Sequence, residues 1–182
     1  MGPELLRIVY APASYYRPWR ATYGAATPAQ QRWLNATLIR RHALPVPPAG
    51  VSANATVARR MVGLWDRLPE VATLIGAARL REWVAVQRSA AALPLPVQAF
   101  MRAGHAPRAL AEQPSTRLED DPDLLLRWGG RDVQAMAPLL PTWLSARLWL
   151  PLRAAEGESP RGEIRPDMDL FWSAVNYVEK LS

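Results

Sequence analysis

The sequence predicts an all-α fold: a compact bundle of about six to eight short, proline-punctuated helices, in a single helical domain over residues 1–182. Three observations carry that expectation. Apolar residues recur at three- and four-residue spacing along most of the chain, with no convincing strand alternation. The 18 prolines stand where one helix must stop and another can begin. Some follow a capping residue, as in Thr27-Pro28 and Asp121-Pro122. At 182 residues the chain can bury an ordinary core without staples, and its lack of cysteine excludes disulfides and thiolate chemistry. The alternative organisation is a basic helical part over 1–104, a loop over 105–121 and an acidic helical part over 122–182.

In chain order, residues 5–10 read as a strand, a short helix or an extended arm. Thr27-Pro28-Ala-Gln30 is a capping box that starts a helix running to about His42. Trp33, Leu34 and Leu38, with Ala36 or Ile39, are its expected inward positions, and Arg40, Arg41 and His42 complement the dipole in its last turn. Pro45, Pro47 and Pro48 force a loop to Gly50. Ser52 or Asn54 caps the next helix, with Val57, Met61, Leu64, Trp65 and Leu68 as its apolar stripe. Pro69 opens another, with Val71, Leu74 and Ile75 inward and Gly76 as its expected end. Residues 77–93 continue as a helical piece with Leu80, Trp83, Val84 and Val86 apolar, stopped by Pro94 and Pro96. Residues 97–103 form a short helix with Gly104 as its cap.

Asp121-Pro122 opens a helix bearing Leu124, Leu125, Leu126, Trp128, Val133 and Met136. Gly129-Gly130 in its middle predicts a weakening or kink, at about 1 kcal/mol per glycine. Residues 142–150 form a short helix on which Trp143 and Trp149 cannot share one side, leaving one for an interface. Residues 154–165 are a loop. Pro166-Asp167 opens a last helix ending at Leu181, with Leu170, Phe171, Val175 and Val178 inward.

The chemistry of an enzyme is missing from this pattern. His42 and His105 have no ligand or base partner at useful spacing, so no metal and no catalytic residue is expected. There is no Gly-x-Ser-x-Gly elbow, no Walker loop and no Gly-x-Gly-x-x-Gly, and no cofactor is implied. The acidic run Glu119-Asp120-Asp121-Pro122-Asp123 fails as a calcium loop, because Pro122 interrupts it and Leu125 stands at a ligand position. Asp121 and Asp123 read first as charges complementing a helix start. No apolar stretch is long enough to span a bilayer, and residues 1–12 lack a signal-peptide core.

Charge is unevenly spread around the net +6. Residues 1–65 hold eight arginines against Glu4, whereas residues 112–182 hold eight basic against twelve acidic residues. Arg40, Arg41, Arg59 and Arg60 on the one side, and Glu119, Asp120, Asp121 and Asp123 on the other, are the candidate partner-binding residues. An arginine-rich nucleic-acid-binding or regulatory protein is the alternative reading, opposed by the acidic C-terminal third and by the lack of a recognisable reading helix.

Several segments in order carry a family resemblance. They are Tyr10-Ala-Pro-Ala-Ser-Tyr15, Trp33-Leu-Asn-Ala-Thr-Leu38, Ile75-Gly-Ala-Ala-Arg-Leu80 and Trp143-Leu-Ser-Ala-Arg-Leu-Trp-Leu-Pro-Leu152. Together they resemble the SctK-type (YscK/PscK-like) adaptor of the bacterial type III secretion sorting platform. The resemblance implies an all-helical, non-enzymatic cytoplasmic protein peripheral to the inner membrane. Its implied partners are the cytoplasmic domain of the inner-membrane ring protein (SctD type) and the pod protein (SctQ type), with the stator and ATPase reached indirectly and no nucleic acid. It carries no catalytic residues to transfer.

Overall fold

Proline or a capping residue stands at several of the helix starts. The computed structural model describes residues 2–47, 56–87, 89–103, 112–154, 156–160 and 165–181. Among them the regular elements are α1 (Pro3–Tyr10), α2 (Arg20–Ala25), α3 (Pro28–Arg41), α4 (Thr56–Gly63), α5 (Leu68–Arg79), α6 (Arg81–Val86), α7 (Leu95–Arg102), α8 (Leu124–Ala135), α9 (Thr142–Ser145), α10 (Trp149–Leu152) and α11 (Met168–Lys180), joined in places by single 3₁₀ turns. The described residues contain no strand, so the fold is all-α. Residues 5–10 are helical. His105, Gly104 and the expected caps Ser52 and Asn54 lie outside the described residues.

The chain divides into two units: unit 1 takes Met1–Leu68 and Met136–Arg153, unit 2 takes Pro69–Ala135 and Ala154–Ser182. In unit 1, α3 has both ends closed locally. The Thr27 hydroxyl accepts from the Gln30 amide and the Gln30 side chain accepts from the Thr27 amide, which completes the expected capping box. At the other end Ala43 adopts φ 46°, and the amides of Ala43 and Leu44 donate to the carbonyls of Arg40 and Ile39. This is a Schellman closure with alanine where glycine is the usual residue. It turns the chain sharply inward, and Leu44 is buried directly after it.

The inward face of α3 differs from the expectation at one position. Leu34 and Leu38 pack on Ala13, with Tyr16, Trp19, Tyr23 and Ala26 around them, but Trp33 is 63% exposed. At 3.6 residues per turn the buried face centres on Gln31, Leu34, Asn35 and Leu38, which turns Trp33 towards solvent. The expected single helix over 142–150 is two short helices, α9 and α10, with the fully buried Arg147 between them.

In unit 2 the glycines act differently from the sequence expectation. Gly76 lies inside α5 rather than ending it, and α8 runs unbroken through Gly129 and Gly130, both buried. The reason is a close helix crossing. A Cβ at Gly76 would strike the Leu125 carbonyl, and one at Gly129 would strike the Ala72 carbonyl and the Gly76 amide nitrogen. Glycine is the one residue that lets these backbones touch, and the packing gained offsets its poor helix propensity. The helix α8 begins at Leu124, two residues after Pro122, and α6 covers only part of 77–93 because Leu80 (φ −97°, ψ 13°) leaves helical geometry. The last helix follows the expectation closely: the Asp167 side chain caps it by accepting from the Leu170 amide, and Leu170, Phe171, Val175 and Val178 are all buried.

Candidate interaction surfaces

Unit 1 is wired from its interior outward by one arginine. Arg147 is fully buried, and its guanidinium donates to the carbonyls of Pro45 (2.7 Å), Trp143 (2.8 Å) and Val9 (3.1 Å). It ties the end of α1, the turn after α3 and the α9 segment together. Burial lowers its pKa from the usual arginine value, with the nearby Tyr15 phenol opposing the shift, and arginine stays protonated in proteins regardless. Tyr15 is buried beside it, its hydroxyl donating to the Ile8 carbonyl at 2.7 Å and its ring edge-on to Trp65 with centroids 5.6 Å apart. Burial pushes the Tyr15 pKa up, so its phenol stays neutral.

Three of the four short sequence segments singled out above lie in unit 1 and take part in this wiring; Ile75–Leu80 belongs to unit 2. The Ala13 amide, in the first segment, donates to the Asn35 side chain in the second at 2.9 Å. Arg147, in the last, reaches Val9 just before the first. These residues therefore hold unit 1 together instead of facing a ligand.

The four candidate arginines fall into two pairs. Arg40 and Arg41 are exposed at the end of α3, and their guanidinium groups make no hydrogen bond or ion pair among the described residues. Arg59 and Arg60, on α4, are engaged by neighbours. An aromatic group lies close to the first pair. His42 stacks edge-on against Trp149 (4.8 Å between centroids), Trp149 meets Tyr16 (5.9 Å) and Tyr16 meets Trp19 (5.5 Å). Partial burial lowers the His42 pKa, and the charges of Arg41 and Arg153 lower it further. Trp149 is thus the half-buried member of the tryptophan pair, while Trp143 is 5% exposed.

The acidic candidates of unit 2 also divide. Asp121 is structural: its carboxylate pairs with Arg127 and accepts from the Asp123 amide at 3.2 Å. Asp123 is engaged as well, its carbonyl accepting from the Arg127 amide in the first turn of α8. Glu119 pairs with Arg117 at 3.3 Å in full solvent, a contact worth about 0–1 kcal/mol. Asp120 is exposed beside it. Sequence reasoning missed a second clip here. The Glu158 carboxylate accepts from the amides and hydroxyls of both Ser115 and Thr116 at 2.8–3.1 Å, and the Glu158 carbonyl accepts from Arg127 Nε at 3.0 Å. No sequence spacing signals a contact between positions over forty residues apart.

Deeper in unit 2, Arg79 and Asp132 form a buried pair at 2.5 Å, with Asp167 at 3.9 Å. Burial pushes the Asp132 pKa up, and Arg79 opposes that shift. Among the described residues no group of three His, Asp or Glu converges as a metal site. No helix among them is long and apolar enough to cross a membrane. What the two units offer instead is net charge of opposite sign. Unit 1 carries eleven arginines against Glu4 and Asp66, net +9, and unit 2 carries eleven basic against fourteen acidic residues, net −3.

A family model described as bacterial type III secretion apparatus protein (OrgA_MxiK) matches residues 5–180. No curated protein and no solved structure matches the chain.

Proposed function

Because the chain belongs to the bacterial type III secretion apparatus family OrgA/MxiK, the SctK family, we propose that it is a structural adaptor of the cytoplasmic sorting platform. It links the cytoplasmic domain of the inner-membrane ring protein (SctD type) to the pod protein (SctQ type), and through the latter to the stator and ATPase. It acts by binding alone, at the cytoplasmic face of the inner membrane and without inserting into it. The observation that carries this reading is the family match over nearly the whole chain. The opposite charges of the two units support it, since a linker needs two surfaces that do not compete for one partner.

The test is co-purification of the tagged full-length chain from its own bacterium, with partners identified by mass spectrometry. Ring and pod proteins are the expected recovery. Reversing the charge of Arg40, Arg41, Arg59 and Arg60 is expected to deplete one of them, and reversing Glu119 and Asp120 the other. Recovery of neither protein overturns the adaptor reading. Loss of both on either reversal, or of neither on both, overturns the two-surface form of it. Retention on DNA that falls steeply with salt would point to phosphate binding by the basic unit.

A further inference from the structure

The helix α3 presents an outward face that the described residues of its own unit leave open. Trp33 stands at the centre of that face, 63% exposed. Ala29 and Ala36, four residues before and three after, flank the indole along the helix, and both are exposed. Arg40 follows two turns beyond Trp33 on the same face, with Arg32 and Arg41 at its borders. Residues 28–41 contain no Asp or Glu, and the guanidinium groups of Arg32, Arg40 and Arg41 make no ion pair or hydrogen bond among the described residues.

The opposite side of α3 is fixed. Leu34 and Leu38 are buried, Asn35 holds the Ala13 amide, Gln31 donates to the Tyr23 carbonyl at 3.1 Å, and both helix ends are closed. The exposed face is therefore presented on a rigid support, which lowers the ordering cost of binding. Tryptophan and arginine are the residue types most enriched where interfaces concentrate their binding energy. Small residues on either side of the indole leave shallow notches that fit the ridges of another helix.

The charge selects the sign of that helix. Unit 1 is net +9, and α3 supplies three unpaired arginines to it. A nucleic acid fits less well. One mode of phosphate capture, at a helix N-terminus, is blocked here, because that end has Pro28 and is closed by the Thr27–Gln30 capping box. The three arginines also point in different directions around the helix instead of forming one stripe.

We propose that the outward face of α3, with Trp33, Ala29, Ala36, Arg40 and Arg41, docks a carboxylate-rich helix of a protein partner. The indole fills the apolar seam of that helix and the arginines meet its carboxylates. The identity of the partner as a secretion-apparatus component rests on the adaptor reading; the chemistry of the surface does not.

The experiment places a photo-crosslinking benzoylphenylalanine at position 36 of the full-length chain in its own bacterium. The crosslinked peptide is then sequenced by mass spectrometry. The expected product is a crosslink to one protein, within a helical segment rich in Asp and Glu. Purified in turn, that protein should bind Trp33→Ala and the double variant Arg40→Glu, Arg41→Glu at least tenfold more weakly than the parent chain. Both variants should keep the parent melting curve by circular dichroism. A crosslink to nucleic acid, to a second copy of the chain or to a segment without acidic excess overturns the proposal, as does no crosslink or undiminished binding. Co-purified ring and pod proteins without an acidic crosslink would leave the adaptor reading standing and this surface refuted. A Trp33-dependent crosslink to an acidic helix, with neither protein recovered, would do the reverse.

Discussion

Unit 1 has eleven arginines and two carboxylates to work with, unit 2 eleven basic and fourteen acidic residues, and each interior is wired from that stock. In unit 1 both carboxylates meet Arg7, which pairs with Glu4 at 2.5 Å and with Asp66 at 2.8 Å. The buried Arg147 is satisfied by backbone carbonyls instead. In unit 2 carboxylates take the structural positions, in Arg79–Asp132, in Arg127–Asp121 and in the Glu158 clip. Where carboxylates are scarce, arginine serves as a donor to chain ends and turns, and Arg32, Arg40 and Arg41 stand exposed to solvent. Where they are plentiful, acidic and basic side chains pair with each other inside the unit, which leaves its net charge unchanged.

The sharpest way to break this comparison is Arg147→Ala. It strands two buried carbonyls and a partly buried one and opens a cavity, so a loss of about 3–5 kcal/mol is expected in urea denaturation. Arg147→Lys should recover part of that loss, because an ammonium keeps the charge but cannot match the fork of the guanidinium. A loss below about 1 kcal/mol for Arg147→Ala would mean that the carbonyls find water and that unit 1 does not depend on its central arginine.

Glycines give the second contrast. Gly129→Ala in unit 2 drives a methyl group into the backbone of α5, with about 3 kcal/mol of destabilisation expected. Gly24→Ala, within α2 of unit 1, meets nothing within 4 Å and should stabilise by about 0.5–1 kcal/mol. Equal effects of the two substitutions in thermal melts would remove the close helix crossing as the reason for Gly129.

These two sites also show where a sequence can be read and where it cannot. The helix α3 was legible because its start is written locally, in Thr27, Pro28 and Gln30. The last helix was legible for the same reason, with Asp167 before a clean apolar period. Gly76 and Gly129 were misread because propensity sees each glycine alone, whereas their use depends on a meeting between residues over fifty positions apart. Trp33 was misread because an apolar residue next to Leu34 was counted inward, although one step along a helix turns the side chain by about 100°. Of the candidate partner residues, charge patterning could not separate the exposed Arg40, Arg41 and Asp120 from Asp121, whose carboxylate is spent on Arg127. Arg147 lies in one of the segments that carried the family resemblance, and only its burial reveals that its role is structural.

The smallest expected effect is also the one with a definite pH signature. The Glu158 carboxylate is held below the usual range by the Thr116 amide above all, then by the Ser115 amide and the two hydroxyls. The unfolded chain keeps an ordinary glutamate pKa of about 4.3. Because the folded value is the lower one, the clip contributes its stability fully above that pH and loses it as pH falls through the folded value. Glu158→Gln cannot titrate and accepts fewer bonds, so it should melt earlier than the parent at pH 7. The gap between the two melting temperatures should then close as pH falls below about 4.3. Melting curves for the pair across that range decide the matter. Parallel curves would mean that Ser115 and Thr116 hold Glu158 no better than water does, and carboxylate wiring in unit 2 would then reduce to its arginine pairs.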